Sequence, residues 1–177
     1  MKFEVELLTK NISIVKLDEL FLSSEIISIT SSKQGAVGDK NLAECSIDYK
    51  CFYENDEFTI NKPIGRSSEE SIQRTVLSEG GKDAITDVKV LERFDNNTLV
   101  EITLHTGRTH QIRVHLTHIG HPITGDHLYG GDSPELISRQ ALHAAKMILR
   151  HPMTGKQLEI QAPLPDDMKK CLSILRK

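Results

Sequence analysis

Two alternating runs, "AITDVKVLERF" and "TLVEITLHT", stand on either side of the triplet Asp95-Asn96-Asn97. Alternation with period two puts one set of side chains on each face of a strand, and the triplet is good turn chemistry, so this segment predicts a β-hairpin. The second run stops at Thr106-Gly107. From Arg108 onward Ile112, Leu116 and Ile119 recur at helical spacing until Gly120 and Pro122. A hairpin feeding directly into a helix with one apolar stripe admits few folds. The stripe must lie on the sheet that the hairpin begins.

Other segments extend this reading. "EFTINKPIGR" predicts a strand ending at Pro63-Ile64-Gly65, and "EESIQRTVLSEGGK" reads equally as a short helix or an ordered loop. "ALHAAKMILRHP" and "KQLEIQAP" predict two strands around the turn "PMTGK". "PDDMKKCLSILRK" predicts a closing helix, with Asp166 and Asp167 at its start as the helix dipole prefers. Before these, "FEVELL", "SEIISIT" and "YKCFYE" read as strands and "SSKQGAVGDKN" as a loop. The expected architecture is α+β, one domain over residues 1–177, with a mixed, mostly antiparallel sheet and a central helix from about Arg108 to Ile119.

The 177 residues suffice for one hydrophobic core. No apolar run is long enough to cross a bilayer, so no membrane is expected as a partner. Cys45, Cys51 and Cys171 lack ligand spacing, and an odd count without a secretory signal points to reduced thiols and a cytoplasmic location. The net charge is −3, so any nucleic-acid binding must rest on a local basic surface.

Such a surface is concentrated between Leu104 and Gly130. That stretch, "LHTGRTHQIRVHLTHIGHPITGDHLYG", carries six histidines and two arginines and no acid before Asp126. A helix start after Gly107 offers backbone N–H groups to a phosphate. Arg108, His110, Gln111 and His115 are the side chains expected to contact a nucleic-acid backbone there. Zinc is the rival reading, because His115, His118 and His121 recur every third residue. Helical zinc pairs sit four apart with a carboxylate between, and "HLTHIGH" has neither, so no metal is expected. For His105, His118, His127 and His151, packing and hydrogen bonding are the expected roles.

Taken whole, "TGRTHQIRVHLTHIGHPITGDHLYG" closely resembles the signature of the RluA-type pseudouridine synthases. The resemblance continues through "RQALHAAKMILRHPMTGKQLEIQAPLPDDM" and upstream through "YKCFYE", "TINKPIGR" and "GGKDAITDVKVLERF". It spans residues 49–168; residues 1–48 are diverged or truncated. What the resemblance implies is isomerisation of uridine to pseudouridine in structured RNA, ribosomal or transfer, with no cofactor required; the chain itself is expected to be a monomer. It also implies three catalytic groups: an aspartate, a tyrosine matched by Tyr49, and an arginine matched by Arg113. The family's aspartate follows His-Arg-Leu. Here the nearest triplet is Lys16-Leu17-Asp18, without the following Thr-Ser-Gly, so Asp18 is the candidate, and it is the only carboxylate offered to Arg113. The segment "NISIVK" reads equally as the family's earlier strand, with the aspartate segment deleted. The alternative function is accordingly a non-catalytic RNA-binding remnant.

Overall fold

The computed structural model describes residues 7–16, 56–66, 68 and 70–177. Asp18, Tyr49, Cys45, Cys51 and the segments "SEIISIT", "SSKQGAVGDKN" and "YKCFYE" lie outside the described residues.

Strands β1 (Leu7–Lys16), β2 (Glu57–Asn61), β3 (Ile64–Arg66), β4 (Arg74–Val76), β5 (Ile85–Arg93) and β6 (Asn97–Leu104) precede the first described helix, α1 (Gln111–His118). Strands β7 (Leu142–Arg150) and β8 (Gln157–Gln161) follow, then helix α2 (Asp166–Leu175). Six strands form one sheet in the order β2-β5-β6-β1-β7-β8, and β3 with β4 makes a separate ribbon. Every pairing is antiparallel, so the described sheet is not mixed.

The expected hairpin is β5–β6. Phe94 N–H donates to the Asn97 carbonyl at 2.8 Å to close the turn. "NISIVK" is indeed strand, and β1 occupies the middle of the sheet between β6 and β7. "EESIQRTVLSEGGK" contributes the short β4 and, among its described residues, no helix. The expected pair of strands around "PMTGK" is β7–β8, and α2 begins with Asp166 and Asp167 as read.

Alternation decides what the core is made of. Val88 and Val90 on β5 oppose Ile102 and Val100 on β6 and share one face of the sheet. Against them pack Ile112, Leu116 and Ile119, the stripe of α1, all at most 7% exposed. Met168, Cys171 and Leu172 of α2 belong to the same cluster. Each such side chain contributes roughly 1.5–3 kcal/mol by leaving water. The helix stops where Gly120 adopts φ 79°, a left-handed conformation that glycine takes without steric cost.

One difference from the expected boundaries matters for function. The helix starts at Gln111, three residues later than read, because His110 takes φ 59°, ψ 19° at its N-cap position. A non-glycine residue there is uncommon and marks a constrained corner.

Candidate active site

The corner between β6 and α1 is tied to the sheet through Gln111, which is 3% exposed. Its side-chain oxygen accepts the Thr106 hydroxyl at 2.8 Å and the Arg108 N–H at 2.9 Å. Its amide donates to the Ile85 carbonyl and the Thr86 hydroxyl, each at 3.0 Å. One turn further on, His115 is fully buried, with Nδ1 2.8 Å from the Thr86 hydroxyl and Nε2 2.9 Å from the Lys62 carbonyl. A carbonyl only accepts, so Nε2 carries the proton and Nδ1 accepts from Thr86. The chain of bonds is then consistent from end to end: Gln111 amide to Thr86 hydroxyl to His115 to Lys62 carbonyl. Burial, as the largest effect, pushes the His115 pKa down and favours this neutral form.

The assignment of Gln111 and His115 to RNA contact is therefore corrected. Both are spent on holding the helix to β5 and the β2–β3 connection, and neither offers a donor to solvent. Ahead of the helix start, Gln111 takes the Arg108 N–H from inside. Arg108 itself is exposed and donates through Nε to the Asp83 carbonyl at 2.8 Å. His110 is half-buried at the same corner. Of the four residues expected at RNA, these two remain at a surface.

Arg113 leaves the other flank of α1. Its Nε and Nη2 each donate to a different oxygen of Asp126, both at 2.7 Å. Asp126 is 1% exposed and the arginine side chain 16%. The expectation that Asp18 is the only carboxylate available to Arg113 thus fails. Asp126 lies thirteen residues on, beyond the end of the helix, where helical spacing carries no sign of the pair. An aspartate at a glycine-flanked turn after an arginine helix is the signal that pointed to it.

Local geometry explains why Asp126 sits there. Its Oδ1 also accepts the N–H groups of Leu128 and Tyr129, at 3.2 and 3.3 Å, folding the turn around the carboxylate. Gly131 packs so closely that a Cβ would lie 1.8 Å from the Ile123 carbonyl oxygen. The loop then joins the end of β1, with Thr124 N–H donating to the Ile14 carbonyl at 2.9 Å and Ile14 N–H to the Ala141 carbonyl at 3.1 Å. The ring of Tyr129 lies under the Arg113 guanidinium, 4.7 Å from its carbon. Its hydroxyl accepts the Arg74 N–H and meets His110 Nδ1, both at 2.9 Å.

Chemically, this is a guanidinium held along one edge and covered on one face, and among the described residues no group takes its Nη1 donors or the second Nη2 proton. Three of the histidines elsewhere have local partners. His105 pairs with Asp87, His127 with Asp132, and His151 Nδ1 accepts the N–H groups of Met153 and Thr154. With both its nitrogens in use, His115 cannot join His118 and His121 as a ligand. Among the described residues no helix is long and apolar enough to cross a membrane.

By fold the chain is a pseudouridylate-synthase-type domain. The human RNA Pseudouridylate Synthase Domain Containing 1 protein superposes with a TM-score of 0.60 at 21% identity, over 96% of this chain and 66% of that one. The family model for RNA pseudouridylate synthase matches residues 39–118. An uncharacterised RNA pseudouridine synthase of Bacillus subtilis, YlyB, is 48% identical over 123 residues, covering 70% of this chain and 40% of the relative. The ribosomal large subunit pseudouridine synthase D of Vibrio cholerae is 44% identical over 133 residues, covering 67% and 40%. The chain belongs to the RNA pseudouridylate synthase family, on its RluA-type side. It spans about 40% of the length of these curated relatives.

Proposed function

We propose that this chain isomerises uridine to pseudouridine in structured RNA, ribosomal or transfer. The observation that carries the reading is Arg113. It lies in the segment shared with RNA pseudouridine synthases, and it is held rigidly by a buried acid while keeping donors for a second anion. In the reaction the C1′–N1 bond of uridine breaks, the base turns, and a C1′–C5 bond forms. C5 loses a proton and N1 gains one, so atoms balance without a redox partner or energy source. The base must leave its stack to be reached.

In this reading Asp18 is the attacking carboxylate or base, Arg113 holds its charge and aim, and Tyr49 packs against the base. Connectivity supports Asp18. It follows the last residue of β1 by two positions, and Ile14 of that strand is bonded to Thr124, two positions before Asp126. Arg108 and His110 contact the RNA backbone, while Gln111 and His115 keep the corner that presents them. The protein works as a cytoplasmic monomer, one domain over residues 1–177.

The test is release of tritium from RNA labelled at uridine C5, comparing the chain with its Asp18→Ala variant on ribosomal and transfer RNA. Release by the chain and not by the variant is the expected result. Release by neither, with RNA binding intact, would replace this reading by that of a non-catalytic RNA-binding remnant.

A further inference from the structure

The surroundings of Tyr129 hold more positive groups than carboxylates. Arg74 and His110 meet its hydroxyl, through a backbone N–H and a ring nitrogen, and Arg113 covers its ring. Among the described residues, Asp126 is the one carboxylate in contact with this group. Its two oxygens are taken by Arg113 and by the N–H groups of Leu128 and Tyr129.

Arg74 is thereby left without an acid among the described residues. Its side chain is half-buried, and among the described residues its one hydrogen bond runs from Nη1 to the Ser71 carbonyl at 3.5 Å, the limit of such a contact. Among the described residues no carboxylate forms an ion pair with it. Nor is its place accidental. The start of β4 is fastened to the Asp126 loop twice, by Arg74 N–H to the Tyr129 hydroxyl and by the Gln73 amide to the Leu128 carbonyl at 2.7 Å. The backbone therefore brings Arg74 to the flank of the Arg113 site and holds it there. Burial and then the nearby charges of Arg113 and Arg74 push the His110 pKa below its ordinary value, so the imidazole stays neutral beside them.

A half-buried guanidinium without a counter-charge is costly unless an anion completes it. A planar fork of N–H donors fits the oxygens of a phosphate better than any other biological anion except a carboxylate. We propose that Arg74 binds a backbone phosphate of the RNA, next to the nucleotide that enters the Arg113 site. The His110–Tyr129 pair forms the wall that keeps the Arg74 strand in place. This rests on the RNA reading above.

The test uses the full chain and a uridine-containing RNA stem–loop, with binding measured across a salt series. Arg74→Gln should weaken low-salt binding by about tenfold or more. It should also reduce the slope of log affinity against log salt by about one counterion. Arg74→Lys should keep the slope, because the charge remains. Arg150→Gln, an equal charge change on the β7–β8 hairpin, should alter neither. Thermal melting of each variant shows that it is folded, and the lysine variant carries the comparison if the glutamine variant is not. A wild-type slope in Arg74→Gln, or a lost slope in Arg74→Lys, overturns the proposal while the RNA reading stands. Wild-type protein with no salt-dependent RNA binding overturns both.

Discussion

Arg113 and Asp126 face each other through two parallel hydrogen bonds of 2.7 Å, one from Nε and one from Nη2. The pair joins the helix of the family signature to the loop that follows it. Removing one partner strands the other's charge in a site with little water. Asp126→Ala should therefore cost roughly 3–5 kcal/mol, read by urea denaturation. The double change Arg113→Met with Asp126→Leu should cost clearly less than the sum of the two single changes. Additive single and double changes would show that the two charges are not coupled.

The Asp126 loop depends on close backbone approach. At Gly131 a methyl group would meet the Ile123 carbonyl oxygen at 1.8 Å, and at Gly125, with φ 78°, the Arg139 carbonyl oxygen at 2.2 Å. Gly131→Ala should destabilise by about 1–3 kcal/mol or more, by overpacking against backbone that has no rotamer to change. A melting temperature equal to wild type would mean that the loop relaxes freely and does not position Asp126.

His115 gives the protein a dependence on mild acid. Its folded pKa lies below the unfolded value of about 6.5, so the unfolded chain binds the proton first. Its contribution is complete above about pH 6.5 and is lost progressively as pH falls through that value toward the folded pKa. His110 shifts the same way, and the exposed His127, whose pKa is raised by Asp132, acts weakly in the opposite sense. Carboxylates such as Asp87 and Asp167, whose pKa values are lowered, lose their contribution only below about pH 4. Thermal melts should thus show a decline between about pH 6.5 and 5 that His115→Gln flattens. An unchanged slope in that variant would mean that His115 does not titrate differently on folding.

The hairpin, the Ile112-Leu116-Ile119 stripe and the closing helix were legible because each is a local period matched by a local stop signal. What was not legible depended on neighbours distant in sequence. Gln111 and His115 look like a polar helix flank, yet Thr86 of β5 and the Lys62 carbonyl draw them inward. The helix start slid to Gln111 because that side chain satisfies the Arg108 N–H and lets His110 turn left-handed. Arg113 stood out through its motif, while its partner Asp126 came from a turn whose folding requires Gly125 and Gly131. The place of β1 between β6 and β7 has no local signature at all, since sheet order is set by packing and not by period.

Arg113 carries the catalytic prediction. Asp126 occupies one edge of the guanidinium, so a second carboxylate or a phosphate can be met only by the donors that remain. A charge-assisted bond made there contributes on the order of 1.5–3 kcal/mol to the state that needs it. If that state is the transition state, Arg113→Ala should slow tritium release by roughly ten- to a hundredfold. Arg113→Lys should recover little, because one ammonium cannot keep the paired bonds to Asp126 and also present an aimed donor. RNA affinity should change far less than turnover, since Arg113 is one contact among several. Asp126→Asn should also lower turnover in protein that is still folded, because it removes one charge from the group that aims Arg113. Equal turnover in wild type, Arg113→Ala and Arg113→Lys would show that the arginine serves the fold alone.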